Sequence, residues 1–150
     1  PELNGKFPHK LAFLTEMQEW FDEWSSMPSR KRILLGDLNV APLEHDVWSH
    51  KQLLKIVSHT PVEVDLLTRA QAAHGWIDVA RHFIPADVKH YTWWSYRASD
   101  WRESNRGRRL DHIWVSPSLG DGLLDYTVAQ EARDWERTSD HAPVIATIKL

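Results

Sequence analysis

The apolar run Ile33-Leu34-Leu35 leads directly into Gly36-Asp37-Leu38-Asn39. A short apolar segment without helical spacing that stops at a glycine reads as a buried strand, here Lys31 to Asn39. Such a strand needs sheet neighbours and covering layers, so it constrains the chain more than any other feature. Upstream, Leu14, Met17, Phe21 and Trp24 recur at helical spacing and predict an amphipathic helix over 9–24. Ser25 to Ser29, with Pro28, breaks it. Residues 40–50 read as a loop containing Pro42, and Leu53 to Val57 as a short helical or irregular piece. Thr60-Pro61-Val62-Glu63 starts a second helix: Thr60 can cap, Pro61 suits the first turn, and Glu63 can close a capping box. That helix should run to about Ala73 and end at Gly75, with Trp76 to Val79 leading into a loop.

The remaining strands are expected at Tyr91 to Tyr96, Leu110 to Ser116, Leu124 to Gln130 and Pro143 to Lys149. Between them lie a basic loop over 97–109 and a turn from Pro117 to Gly122. Two clear helices mixed with about five strands exclude a helical bundle or an all-β barrel and leave α/β, or α+β. The 150 residues suffice for one domain or part of one. There are no cysteines, which excludes disulfides and thiolate metal sites and suits a reducing compartment. No apolar run approaches the roughly 18 residues of a membrane span, and no signal-peptide pattern opens the chain. The first residue is Pro1 rather than Met, so the natural start is expected upstream.

Four places can carry chemistry. Asp37 and Asn39 are two apart, so on a strand they share one face. Polar groups at the end of a sheet strand commonly build a site, although Gly, Asp and Asn also form plain turns. Asp140-His141, after Thr138-Ser139, offers a carboxylate and an imidazole for metal binding or proton transfer, or simply a cap and a surface histidine. Asp111 enters an apolar strand and is costly to bury there unless a histidine or cation pairs with it. Finally, Trp93-Trp94-Ser95-Tyr96-Arg97 precedes Trp101, Arg102, Asn105, Arg106, Arg108 and Arg109. Arginine forks match phosphates and aromatic faces stack on bases. The five arginines between 97 and 109 would therefore reconcile a formal net charge of −3 with a nucleic-acid partner. Most of the nine tryptophans are expected in the core.

Taken in order, GDLN, YTWWSYR, NRGRRLDHIWVS and TSDHAPV resemble the exonuclease III family of the endonuclease–exonuclease–phosphatase superfamily, from Phe7 to Leu150. Asp37, Asn39 and Ser139-Asp140-His141 match signals spread through the superfamily, shared with DNase I, sphingomyelinases and inositol phosphatases. The Trp-rich segment and Asn105-x-Gly107-x-Arg109-Leu110-Asp111 point to the exonuclease III branch. The resemblance implies a DNase I-like fold, a four-layered α/β sandwich of which 1–150 would be the carboxy-terminal half. Pro1-Glu2-Leu3-Asn4 would then fall mid-domain. It further implies a bacterial, cytoplasmic DNA-repair enzyme, monomeric at full length, acting on abasic sites and 3′ ends of double-stranded DNA. In that reading Asp37 orients or deprotonates the attacking water, and Asn39 bonds the scissile phosphate. His141 stabilises that phosphate, and Asp111 orients His141. Asp140, with Asp37, Asn39 and His141, contacts the cation, Mg²⁺ or Mn²⁺. Trp93 and Leu110 line a pocket for the flipped sugar, and Arg97, Asn105, Arg106 and Arg108 contact DNA. The family's amino-terminal half would supply a glutamate, an asparagine and a tyrosine that have no counterpart here. Two other readings stand beside this one: a phosphatase or sphingomyelinase acting on small or lipid phosphates, and a DNA-binding remnant without catalysis.

Overall fold

The computed structural model describes residues 5–150; Pro1 to Asn4 lie outside the described residues. The first helix, α1, runs Lys6–Ser25, three residues earlier at its start than its periodicity marks. Strand β1 is Ile33–Asp37. A 3₁₀ turn at Glu44–Asp46 and the single-turn helix α2 (His50–Leu53) follow. Helix α3 spans Pro61–His74, opened by the predicted capping box between Thr60 and Glu63. It closes on Gly75, whose φ of 66° is a left-handed conformation that suits glycine. Next come β2 (Ile77–Asp78), α4 (Val79–Phe83), β3 (Trp93–Trp94), α5 (Trp101–Ser104) and β4 (Gly107–Arg108). Strands β5 (Asp111–Val115), β6 (Leu123–Val128) and β7 (Val144–Ile148) complete the order, with 3₁₀ turns at Pro117–Gly122 and Gln130–Asp134.

The central sheet has the order β1-β5-β2, and every pairing among the described residues is antiparallel. The mixed helix-and-sheet class therefore holds, with the α+β character that antiparallel pairing gives. Helices α1 and α3 cover one face of this sheet. Leu14, Met17 and Phe21 meet Leu67 and Ala70, with Trp114 of β5 beneath them. The opposite face carries Ile113 and Val115, which pack with Val79, Ala80 and the β6–β7 hairpin through Leu123 and Tyr126.

Several expectations need correction. The strand at 33–37 is not buried: Ile33 is exposed and Leu35 is 71% exposed. It is an edge strand, and its partner β5 covers only one side. The segment 76–79 is not a lead into a loop but β2 and the start of α4, fixed by pairing of Ile77 with Val115. The strand expected over 91–96 shrinks to Trp93–Trp94, and the basic loop contains α5 and β4. Only Trp76, Trp94 and Trp114 are buried; several other indoles sit at the surface against arginine side chains.

Buried imidazoles give the fold a pH dependence. Burial, then the Arg109 charge, lowers His112 and His90 to about 4, and burial lowers His59 and His74 as well. Unfolding frees these groups to bind protons near 6.5. The contribution of His112 and His90 is therefore complete above about pH 6.5 and is lost as pH falls toward 4, at up to about 1.4 kcal/mol per histidine per pH unit, and His59 and His74 act in the same direction. His141, whose value is raised, acts in the opposite sense but is one group against four. The melting temperature should fall steadily from pH 7 to pH 4.5 when followed by circular dichroism. A constant melting temperature across that range would contradict neutral buried imidazoles.

Candidate active site

Antiparallel register places Asp37, the last residue of β1, opposite Asp111, the first of β5. Alternation puts both on the face turned away from α1 and α3. The chain leaves β1 through a turn in which Asn39 N–H donates to Asp37 Oδ1 at 2.8 Å, with Asn39 in the left-handed region at φ 53°. That backbone is held from the helix layer. Lys10 Nζ donates to the Asn39 carbonyl and to Glu63 Oε1, each at 2.5 Å. The fully buried Glu63 carboxylate also accepts from Ser58 N, Thr60 N and Thr60 Oγ1.

Asp111 and His141 form the centre of the site. His141 Nδ1 lies 2.8 Å from Asp111 Oδ2, and Thr92 Oγ1 donates to the same oxygen at 2.6 Å. Thr92 Oγ1 in turn accepts from the Leu110 and Asp111 amides, so a buried hydroxyl fixes both the carboxylate and its backbone. The far nitrogen of the ring, Nε2, is 3.9 Å from Asp37 Oδ2. The resulting line is Thr92, Asp111, His141, Asp37. The hydrogen bond to Asp111 is the main reason His141 is raised above its ordinary value; burial opposes it, and the charges of Asp111, Asp37 and Asp140 add to it. Asp37 is raised chiefly by burial, then by the Asp111 charge, against the Asn39 amide and His141.

The loop before β7 is pinned to β3. Trp93 pairs with His141 as an isolated bridge, and Trp94 N–H donates to the Asp140 carbonyl at 3.0 Å. Asp140 Oδ2 accepts the Trp93 indole N–H at 2.8 Å. Among the described residues, no group of three or more His, Cys, Asp or Glu side chains is arranged to hold a metal ion.

Beside this line opens a cleft of about 900 Å³ lined by Trp48, Trp93, Trp94, Arg97, Arg106 and Arg108, among others. The Arg106 guanidinium lies over Trp48 and that of Arg108 over Trp93, at 4.7 and 5.3 Å from the ring centres. Arg108 also donates to Val57 O and Ser58 Oγ. Asn105 caps α5 and takes the Trp94 indole N–H on Oδ1. Leu110 is buried behind Trp93 with Ala41, Val47 and Leu53 rather than in the cleft wall. The five-arginine account of the charge is corrected: Arg109 is fully buried against Asp46 and Asp78, and Arg102 is paired with Asp134. Thr92, Lys10, Glu63 and Trp48 were not singled out for the site by the sequence. Only Thr92 carries a signal, as a small polar residue inside an aromatic strand.

The mixed helix-and-sheet frame is that of solved AP endonucleases and exonucleases. The chain belongs to the endonuclease/exonuclease/phosphatase family, whose model matches residues 11–141. Exodeoxyribonuclease III of Haemophilus influenzae is 31% identical over 150 residues, covering 96% of this chain and 55% of that protein. The DNA repair nuclease APEX1 of Danio rerio is 36% identical over 112 residues, covering 75% of this chain and 34% of the relative. A 3′ phosphatase from Neisseria, solved with a product DNA hairpin, superposes with a TM-score of 0.88 at 29% identity, over 99% of this chain and 56% of that one. The chain thus spans about half the length of the exodeoxyribonuclease III it matches.

Asp111→Asn should weaken the bond that raises His141. The His141 midpoint, followed by NMR titration of its ring protons, is expected to move down toward the ordinary imidazole range. An unmoved midpoint would mean that Asp111 does not set the charge of this ring.

Proposed function

We propose that this chain is the carboxy-terminal half of an exonuclease III-like DNA-repair nuclease. The enzyme hydrolyses phosphodiester bonds 5′ to abasic sites and removes 3′-terminal nucleotides or blocks from duplex DNA. The observation that carries the reading is the Asp111–His141–Asp37 line opening beside the arginine–tryptophan cleft.

In this mechanism His141, whose hydrogen bond to Asp111 favours its protonated form, contacts the scissile phosphate and offsets its developing charge. Asp111 keeps the ring aimed. Asp37, with its raised value, orients or deprotonates the attacking water. The Asn39 side chain bonds the phosphate from the turn that Lys10 and Glu63 hold. Trp93, backed by Leu110, forms one wall for an extruded abasic sugar, whose missing base makes extrusion cheap. Arg97, Arg106 and Arg108 meet the DNA backbone, and Asn105 supports Trp94 beneath them.

A divalent cation, Mg²⁺ or Mn²⁺, would neutralise the phosphate and help the leaving oxygen depart. Mg²⁺ needs only one or two carboxylates beside water and phosphate. Asp140 and Asp37 are the carboxylates this half offers, and the family's amino-terminal half would add its glutamate. That half would also cover the exposed Ile33 and Leu35, giving a monomer at full length in the bacterial cytoplasm. No helix among the described residues is long and apolar enough to cross a membrane. That the chain spans about half of its relative's length favours one second reading, a DNA-binding half without catalysis of its own.

Incision of a duplex oligonucleotide carrying one abasic-site analogue separates the two. With Mg²⁺ the chain should cut at the analogue, EDTA should abolish cutting, and His141→Ala should lower it at least a hundredfold, about what a lost charge stabiliser costs. A folded chain that cuts nothing is the DNA-binding half alone. In either case Arg106→Ala and Arg108→Ala should weaken DNA binding, each flattening the logarithmic salt dependence by about one. An unchanged slope would mean that these arginines do not touch phosphate.

A further inference from the structure

Arg109 is not the only arginine that the fold buries. Arg133 is 6% exposed, yet among the described residues it forms no salt bridge. Its guanidinium lies against Tyr96 and Trp101, 5.3 and 5.6 Å from their ring centres. Nη1 donates to the Ser139 carbonyl at 2.6 Å and Nη2 to the Trp94 carbonyl at 3.2 Å, while Nε has no partner. A buried cation bonded to carbonyls and ring faces, with the Asp134 charge reaching it without a salt bridge, is a costly choice where an apolar side chain would pack. What arginine adds is a planar fork that reaches two backbone segments at once, which a lysine ammonium cannot reproduce.

Those two segments are the ones that carry the site. Trp94 follows the indole that bonds Asp140, and Ser139 precedes Asp140 and His141. Ser139 also receives the His141 amide on Oγ. Tyr96, on one side of the guanidinium, donates its hydroxyl to the Thr138 carbonyl at 2.6 Å. The 3₁₀ turn Gln130–Asp134 that supplies Arg133 is itself tied to the cleft rim by the Trp101 indole on Asp134 Oδ1.

We propose that Arg133 is a positioning residue for the nuclease site described above: its fork clamps the 138–141 loop onto β3 and thereby keeps His141 Nδ1 on Asp111. The role rests on that functional reading, but its test does not need DNA cleavage. The readout is the hydrogen-bonded Nδ1 proton of His141 in ¹⁵N-edited proton spectra of the whole chain at one fixed pH. In Arg133→Gln this signal should be lost, while the ring signals of His112 and His59, bonded to the Val40 and Ala41 carbonyls, persist as a record of the intact core. A His141 signal unchanged in a folded Arg133→Gln protein overturns the proposal. If that variant does not fold, Arg133→Lys keeps the charge without the fork and is read the same way. A chain that cuts no DNA still gives either answer, so failure of the nuclease reading and failure of the clamp are separate results.

Discussion

The buried guanidinium of Arg109 is the joint on which the rest depends. Nε and Nη2 meet the two oxygens of Asp46 at 2.8 Å each, and Nη1 meets Asp78 at 2.8 Å. Arg81 adds a second cation to Asp46, and the Leu43 amide donates to the same carboxylate. One side chain therefore ties the loop after β1, the start of α4 and the entry to β5. Burial alone would raise Asp46, but Arg109 and Arg81 outweigh it and hold the carboxyl below its usual range. Loss of one partner from such a cluster leaves a bare buried charge, a cost of about 3–5 kcal/mol. Because Leu110 and Asp111 follow Arg109 directly, the cluster also fixes where the carboxylate that holds His141 emerges.

This arrangement changes how the charge of the chain is understood. Five arginines between 97 and 109 look like one basic surface, but Arg109 is consumed inside and Arg102 is answered by Asp134. The arginines of this stretch that face the cleft are Arg97, Arg106 and Arg108. Two of these lie on indole rings. Any flat group entering to stack on Trp48 or Trp93 must therefore first displace an arginine.

Local signals and tertiary ones separate cleanly along the chain. Helices α1 and α3 were legible because periodicity, the Thr60–Glu63 box and Gly75 act within a few residues of one another. Asp37, Asp111 and His141 were legible by residue type and order, and the fold brings them into one line. Strand β2 was not, since two residues gain a strand only from Val115 and Trp114, far along the chain. The exposure of β1 was not legible either, because an apolar run reports its own composition and not what covers it. Glu63 read as a helix cap and is one, yet the same carboxylate anchors Lys10 on Asn39. Arg133 carries no sequence signal, because tertiary packing alone brings the Ser139 and Trp94 carbonyls to its fork.

The exposed edge has a chemical consequence as well as a structural one. Leu35 and Asp37 lie on the same face of β1, opposite Ile113 and Asp111 of β5. Whatever shields Leu35 from water also dries the space above the two carboxylates. A lower local dielectric strengthens the pull of Asp111 on a charged His141 and the repulsion between Asp37 and Asp111. Further desolvation and the Asp111 charge would both raise Asp37, whereas at His141 the same desolvation opposes the stronger pull of Asp111. The exposure of Leu35 and the electrostatics of the two carboxylates are therefore linked, since a single sheet face carries both.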